Sequence, residues 1–198
     1  MDERSNDEPQ ASVRRVVTGH DEEGKAVFIS DGRPARSIAF DTLPGLEFVE
    51  LWATEAAPKI PMNNFEPSAD IASFVPPPVG TRFRIVRFPS GLEMAKLIEG
   101  GFDPVAFRNE YKSKIPGLAE THEVEDPSMH ETATIDYGIV LSGEIDLELD
   151  EGKEVHLKAG DCIIQNGTRH GWRNRGAQPC VIAFIMIGAN LSRAMNEF

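Results

Sequence analysis

The stretch MHETATIDYGIVLSGEI, residues 129–145, decides the fold. Polar residues recur at every second position, at Thr132, Thr134 and Asp136, and an apolar run follows them. Side chains of a β-strand alternate between its two faces, so His130 shares a face with these three residues. A buried polar group without a partner costs about 1–3 kcal/mol. Polar residues that point into a β-barrel therefore predict a ligand pocket.

This stretch must bend if its histidine and its aspartate are to act together. A straight strand would hold His130 and Asp136 about 20 Å apart, because each residue adds about 3.3 Å. We therefore expect His130 to end one strand and Asp136 to open the next. No Gly or Pro lies between them to make the bend easy.

A second stretch, GDCIIQNGTRHGWRN at residues 160–174, carries another histidine. His170 follows an Asn-Gly turn and shares a strand face with Trp172. Two histidines and one carboxylate can hold Zn(II), Fe(II), Mn(II) or Ni(II) and leave coordination positions open. The sequence thus predicts a divalent metal site formed by His130, Asp136 and His170.

Each of these ligand candidates also has a structural interpretation. His130 can be a partly buried histidine hydrogen-bonded to Thr132, Asp136 can cap a turn or pair with Arg169 or Arg173, and His170 can pack on Trp172. Two other histidines are weaker candidates. His122 lies upstream of the first stretch and could serve as an acid or base, whereas His156 is expected to face solvent.

Most of the remaining chain reads as strands and turns. Residues 143–161 alternate apolar and polar side chains around a Gly-containing turn, which predicts a hairpin with one wet face. PCVIAFIMIGA at residues 179–189 predicts an apolar barrel strand. Five further strands are predicted within residues 12–19, 25–32, 36–40, 46–54 and 81–89. Helices are predicted around LEMAKLIEG, DPVAFRNEYKSK and the tail NLSRAMNEF, and residues 1–11 are predicted to be disordered.

Composition restricts the partners and the compartment. The net charge is −12, from 20 basic and 32 acidic residues, which argues against nucleic acid or an anionic membrane as the main partner. The sequence has no apolar run of about 18 residues, and the acidic start MDERSNDEPQ is not expected to act as a secretion signal. We expect a cytoplasmic protein in which Cys162 and Cys180 are reduced and buried.

The two stretches resemble the two sequence motifs of the cupin family. Matching positions are His130, Asp136 and Gly143 in the first motif, and Gly160, Asp161, Gly167, His170 and Asn174 in the second. Departures also occur. Thr132 stands where a second histidine belongs, aspartate replaces glutamate at position 136, and Gln165 replaces a proline in a second motif that is one residue short. Residues 14–32 resemble the N-terminal segment of a subfamily of small bacterial and fungal cupins.

The resemblance implies an all-β fold, the double-stranded β-helix or jelly-roll cupin barrel, with an N-terminal β extension and one or two short helices. Residues 1–11 would be an acidic tail, residues 12–118 the extension, and residues 119–198 the barrel core with the C-terminal tail. Because cupins often dimerise, a homodimer is also expected.

The resemblance further implies metal-dependent chemistry on a small molecule inside the barrel. The leading hypothesis is a lyase, either a decarboxylase or a dehydratase, that acts on an oxygenated organic acid or a phenolic compound. Thr132, Thr134, Gln165 and Trp172 would line the substrate pocket. An Fe(II)-dependent dioxygenase and a non-catalytic metabolite-binding cupin are the two alternatives.

Overall fold

The computed structural model describes residues 13–60 and 66–190. Within these ranges the chain forms β1 (Arg15–His20), β2 (Ala26–Gly32), β3 (Arg36–Ala39), β4 (Glu47–Thr54), β5 (Thr81–Phe88), α1 (Gly91–Glu99), α2 (Pro104–Lys114), β6 (Met129–His130), β7 (Thr134–Ser142), β8 (Glu144–Glu148), β9 (Glu154–Lys158), β10 (Cys162–Asn166), β11 (His170–Arg173) and β12 (Cys180–Gly188). Single 3₁₀ turns lie at Ala119–Thr121 and Asp150–Gly152. The disordered tail predicted for residues 1–11 and nearly all of the helix predicted in NLSRAMNEF lie outside the described residues.

The strands form two principal sheets and a separate hairpin. The larger sheet has the order β10-β7-β12-β5-β4-β3, and the smaller has the order β6-β11-β8-β9. Within the described ranges, β1 pairs only with β2. Every strand pair is antiparallel. The all-β double-stranded β-helix predicted from the sequence is confirmed. Strands β3 to β5, which come from the predicted N-terminal extension, are part of the larger sheet, and the boundary at residue 118 stays a prediction.

The barrel core lies where the two sheets face each other. Its apolar side chains come from both sheets and from the loops that close the barrel: Phe40, Phe48, Phe74, Val86, Ile115, Val140, Ile145, Leu147, Leu157, Ile163, Ile182 and Phe184 are among them. The predicted hairpin of residues 143–161 is confirmed as β8 and β9, with Ile145 opposite Leu157. The alternating sequence of this hairpin predicts one buried face and one solvent-exposed face.

Both predicted helices between the two halves of the chain are confirmed, and neither contains a fully buried residue. Helix α1 starts with a capping box between Ser90 and Glu93. Helix α2 starts at an Asp103 cap, which accepts hydrogen bonds from two backbone amides, and has a proline in its first turn. The helices therefore begin where the sequence specifies, but their apolar faces are only half covered.

One carboxylate ties α2 to the loop that follows β3. Glu110 accepts hydrogen bonds from the backbone amides of Asp41 at 2.8 Å and Thr42 at 2.9 Å, and it pairs with Lys114 at 2.6 Å. Burial raises the pKa of Glu110, but the hydrogen bonds from Lys114, Thr42 and the two amides outweigh it and lower the pKa to about 2. The carboxylate is thus ionised at neutral pH and fixes one end of the helix.

The two cysteines differ in exposure. Cys180 is buried as predicted, but the predicted burial of Cys162 is wrong, because its side chain is exposed. Cys162 shares the outward face of β10 with Ile164, whereas Ile163 and Gln165 alternate inward. Both cysteines are unpaired. Among the residues described here, no helix is long and apolar enough to cross a membrane.

Candidate active site

Three histidines stand side by side at one edge of the smaller sheet, and we call His122, His130 and His170 the histidine row. His130 pairs directly with His170 across β6 and β11, and an isolated bridge pairs it with His122 on its other side. The ring centroids are 4.4 Å apart for His122 and His130 and 4.2 Å apart for His130 and His170. Cross-strand neighbours are this close because adjacent strands lie about 4.8 Å apart.

Backbone carbonyls orient two rings of the row. His170 Nδ1 donates to the carbonyl oxygen of Thr168 at 2.8 Å, and His122 Nδ1 donates to that of Pro127 at 2.9 Å. Donation from Nδ1 leaves the lone pair of the neutral ring on Nε2. The Nδ1 atom of His130 is buried and has no hydrogen-bond partner among the described residues.

Burial keeps the row uncharged. It lowers the pKa of all three imidazoles, and the neighbouring rings His170 and His122 lower the pKa of His130 further, well below its ordinary value. A protonated ring at this buried position would lack the hydration that stabilises its charge in water, and neighbouring charged rings would repel each other. The row therefore presents neutral imidazoles, the form that binds metal ions or accepts protons.

The predicted bend is present between the histidine and the aspartate. His130 ends β6 in the smaller sheet, and Asp136 is the third residue of β7 in the larger one. Asp136 is opposite Gln165 on β10 and Met186 on β12. The side chains of Asp136 and Gln165 are buried, and Asp136 Oδ1 and Gln165 Nε2 have no hydrogen-bond partner among the described residues.

Burial raises the pKa of Asp136 to about 6, against the opposing influence of the Thr134 hydroxyl and the Arg84 guanidinium. The hydroxyls of Thr132 and Thr134 bond to each other at 2.7 Å. The structure thus brings His130 and His170 into contact and leaves Asp136 on a different sheet. Across the described ranges, no group of three or more His, Cys, Asp or Glu side chains is arranged to hold a metal ion.

Of the structural roles expected for His130, Asp136 and His170, only the packing of His170 is present within the parts of the chain that the structure describes. Neither arginine considered for Asp136 pairs with it, since Arg169 pairs with Glu123 and Arg173 pairs with Glu148. A hydrogen bond from His130 to Thr132 is absent from the described residues. The packing of His170 on Trp172 is present, with ring centroids 6.0 Å apart.

A cavity of about 670 Å³ opens beside the histidine row, between the barrel and the two helices. Its wall is mainly apolar and aromatic and includes His122, His130, Asp136 and Trp172. Of the four residues predicted to line the pocket, Trp172 does so. Thr132, Thr134 and Gln165 are buried but are not part of this wall.

Sequence reasoning missed Arg84, a charged residue in the barrel side of the cavity wall, and the carboxylate of Glu50 beside it. Arg84 and Glu50 are buried on the neighbouring strands β5 and β4, where Arg84 Nε lies 2.8 Å from Glu50 Oε1. The alternation in TRFRIVRFP was a usable signal, because it gives Arg84 the same face as the inward-pointing Val86. Tyr111 of α2, whose hydroxyl lies 3.4 Å from His122 Nε2, had no signal of this kind.

Sequence comparisons agree with this architecture. Residues 118–187 match the family Cupin_2, described as Cupin domain. The chain is 34% identical over 167 residues to "Phomopsin biosynthesis cluster protein C'" of Diaporthe leptostromiformis, covering 81% of this chain and 70% of that protein. It is 24% identical over 197 residues to "Cupin-domain-containing oxidoreductase fogC" of Aspergillus ruber, covering 92% of this chain and 77% of that protein.

A solved structure, the Schizosaccharomyces pombe Cnp3 Cupin Domain, is 10% identical with a TM-score of 0.42, covering 88% of this chain and 87% of that one. The match of the barrel core to the family and the long alignment with the Diaporthe protein agree with the two motifs and with the sheet order. The chain belongs to the cupin family.

Proposed function

We propose that this protein is an enzyme that converts a small organic molecule in the cavity beside the histidine row. The observation that best supports the proposal is the pairing of His130, which is part of the cavity wall, with His170 behind it, both as neutral imidazoles. A divalent ion held by His130 and His170, with Asp136 as the predicted third ligand, would supply Lewis acidity to a substrate oxygen. Buried polar atoms without partners beside a cavity are typical of a functional site.

The donor chemistry of the two histidines fits such an ion. Neutral imidazole is the form that binds Zn(II), Fe(II), Mn(II) or Ni(II), and a carbonyl bonded to Nδ1 is a common way to orient a ligating ring. His170 has this carbonyl, and His130 Nδ1 lacks any partner among the described residues. The fit is weaker for Asp136, because its strand belongs to the other sheet.

The other residues would bind and orient the substrate and exclude water. Trp172 packs between His170 and Phe184, so it forms a rigid apolar wall next to the proposed reacting centre. His122, oriented by Pro127, can accept a proton at Nε2. For the reaction type, we retain a lyase that decarboxylates or dehydrates an oxygenated acid or phenolic compound.

An Fe(II)-dependent dioxygenase is the second candidate, because one similar protein is named a cupin-domain-containing oxidoreductase. Oxygen consumption in the presence of substrate and Fe(II) separates the two reactions, since a lyase consumes none. A cytoplasmic location remains part of the proposal. Specific ligand binding without any turnover would instead support a non-catalytic cupin.

Replacing either paired histidine is expected to remove the metal. Protein purified without chelators should contain about one divalent ion per chain, and His130→Ala or His170→Ala should lower metal affinity at least about tenfold. Asp136→Asn should also lower it if the carboxylate is the third ligand. Inductively coupled plasma mass spectrometry of dialysed protein measures the content directly.

The matched control is His156→Ala. His156 lies on the wet hairpin, half exposed and paired with Asp146 at 2.8 Å, so its loss should leave the metal content unchanged. Equal metal content in all three histidine variants would overturn the metal assignment. So would a wild-type protein that takes up none of the four ions.

We also propose that the partner of this chain is a second copy of itself. The outward face of β7 is exposed and uncharged along Ile135, Tyr137, Ile139 and Leu141, and Ile164 of β10 extends it. Two chains that each carry a charge of −12 repel, so an uncharged face is where they can approach most closely.

Introducing charge on this face is expected to separate the copies. Wild-type protein should be a dimer by light scattering across the micromolar range, and the double variant Leu141→Asp, Ile164→Asp, which adds two negative charges to the exposed face, should be a monomer. Val155→Asp, on the exposed face of β9, should remain a dimer. A monomeric wild-type protein would contradict the proposal.

A further inference from the structure

We propose that the cavity takes an acidic aromatic molecule, whose rings lie under helices α1 and α2 and whose anionic oxygen bonds to Arg84. The inference rests on the proposed function in taking this cavity as the substrate site. It adds the chemical class of the ligand and its orientation. It also assigns selectivity to residues that precede the family match at residues 118–187.

The two helices and the link between them form one side of the cavity, which we call its roof. Their apolar side chains face this open space, so neither helix has a fully buried residue. Met94 of α1, Phe102 between the helices, and Phe107 and Tyr111 of α2 turn toward the cavity and remain half-buried. Phe107 and Tyr111 are in contact, with ring centroids 5.5 Å apart. Half-covered aromatic rings over an apolar space favour a ligand that supplies flat apolar surface. A volume of about 670 Å³ accommodates a molecule of two or three fused rings.

The floor of the cavity carries a buried cation with an unused donor. Arg84 is 2% exposed, its Nε faces Glu50, and its Nη2 donates to the carbonyl oxygen of Phe74. Its Nη1 has no hydrogen-bond partner in the described part of the chain, although Arg84 forms part of the cavity wall. Asp136 Oδ1, in the same wall, also lacks a partner. A polar group of the ligand is therefore needed at this end of the cavity.

The charges of the wall indicate that this group is anionic. The wall contains five basic residues, Arg84, Arg108, Lys112, Arg173 and Arg175, and two acidic ones, Glu123 and Asp136. Carboxylates outside the wall pair with Arg84, Arg173 and Arg175, so the unpaired positive charge of the wall comes from Arg108 and Lys112. This excess of basic residues occurs in a chain of net charge −12. Arg108 and Lys112 lie one turn apart on α2, are exposed, and form no ion pair with any described residue. They would attract an anion toward the mouth.

Binding of simple aromatic probes tests this assignment without any need for turnover. We would titrate the full chain by calorimetry with 2-naphthoate, 2-naphthalenemethanol and 2-naphthylmethylammonium. The carboxylate should bind at least about tenfold more tightly than the neutral alcohol, because a hydrogen bond to a charged group is stronger. The ammonium compound should bind most weakly, and acetate, which has no ring, should not bind measurably.

Variants identify the residues responsible. The double variant Arg84→Met, Glu50→Leu removes the cation without leaving a buried charge unpaired, and it should abolish the preference for the carboxylate while the alcohol still binds. Phe107→Ala should weaken both probes about tenfold through lost apolar contact. Val105→Ala, on the same helix but facing solvent, should weaken neither.

The inference is overturned if no aromatic probe binds, if the ammonium compound binds as well as the carboxylate, or if the preference survives in the double variant. Repeating the titrations with the double variant His130→Ala, His170→Ala excludes direct coordination of the carboxylate by a bound ion. Probe selectivity that persists in this double variant would sustain the inference. A wild-type protein that shows the same selectivity but takes up none of the four ions would refute the metal-dependent function alone. Metal binding without probe binding would support the metal-dependent function and refute this inference.

Discussion

Replacing Glu50 with glutamine is expected to lower the free energy of unfolding by about 3–5 kcal/mol. Glu50 is fully buried, and its Oε1 lies 2.8 Å from Arg84 Nε without the alignment of a hydrogen bond. Burial raises the pKa of Glu50, and the Arg84 charge opposes that shift, so the ionised form of Glu50 depends on the neighbouring guanidinium. Glutamine would leave the guanidinium buried without a counter-charge. Denaturation in guanidinium chloride measures the loss.

Two further variants separate this explanation from general damage to the sheet. Asp31→Asn removes one partner of the exposed pair between Arg14 and Asp31 and should leave the denaturation midpoint unchanged. The double variant Glu50→Leu, Arg84→Met replaces the buried pair with apolar groups and should recover most of the lost stability. A Glu50→Gln protein as stable as the Asp31→Asn protein would show that the pair is not desolvated.

The strands of the fold were predictable because their information is local. The hairpin of β8 and β9 follows from alternating residues around a turn, and the two helices follow from their caps at Ser90 and Asp103. The bend after His130 was required by the metal hypothesis and yet has no Gly or Pro to mark it. It arises because β6 and β7 join different sheets, which is decided by pairing with distant strands.

Only those residues of the candidate site that belong to the two sequence motifs could be predicted, because the motif spacing identifies them. The spacing indicated that His130 and His170 belong to one site, and the two are direct cross-strand partners. His122 belongs to the histidine row because an isolated β-bridge pairs it with His130, and the register of this bridge depends on the loop at residues 123–128. No periodicity reveals such a contact. Predicting the role of Arg84 would have required two inferences. The first is that Arg84 points inward from β5, and the second is that Glu50 of β4 is the carboxylate that neutralises it.

Replacing Gly143 with alanine is expected to destabilise the protein by about 2–5 kcal/mol, through left-handed strain and overpacking together. Gly143 joins β7 to β8 with φ of +75°, a conformation that side chains disfavour. A Cβ atom there would clash with the carbonyl oxygen of Pro179 and lie 2.9 Å from Cys180 Cα. Because these obstacles are backbone atoms next to β12, they cannot rotate away as a side-chain end would.

Gly152 supplies the matched comparison, because it has the same handedness without the crowding. Its φ is +67°, and an added Cβ would meet no atom within 4 Å. Gly152→Ala should therefore cost only the conformational strain, about 1–2 kcal/mol. The difference between the two variants measures how tightly the β7–β8 connection is held against the start of β12. If Gly143→Ala and Gly152→Ala unfold at the same denaturant concentration, this connection is not closely packed, and the position of β8 beside β11 would have to be maintained by cross-strand pairing alone.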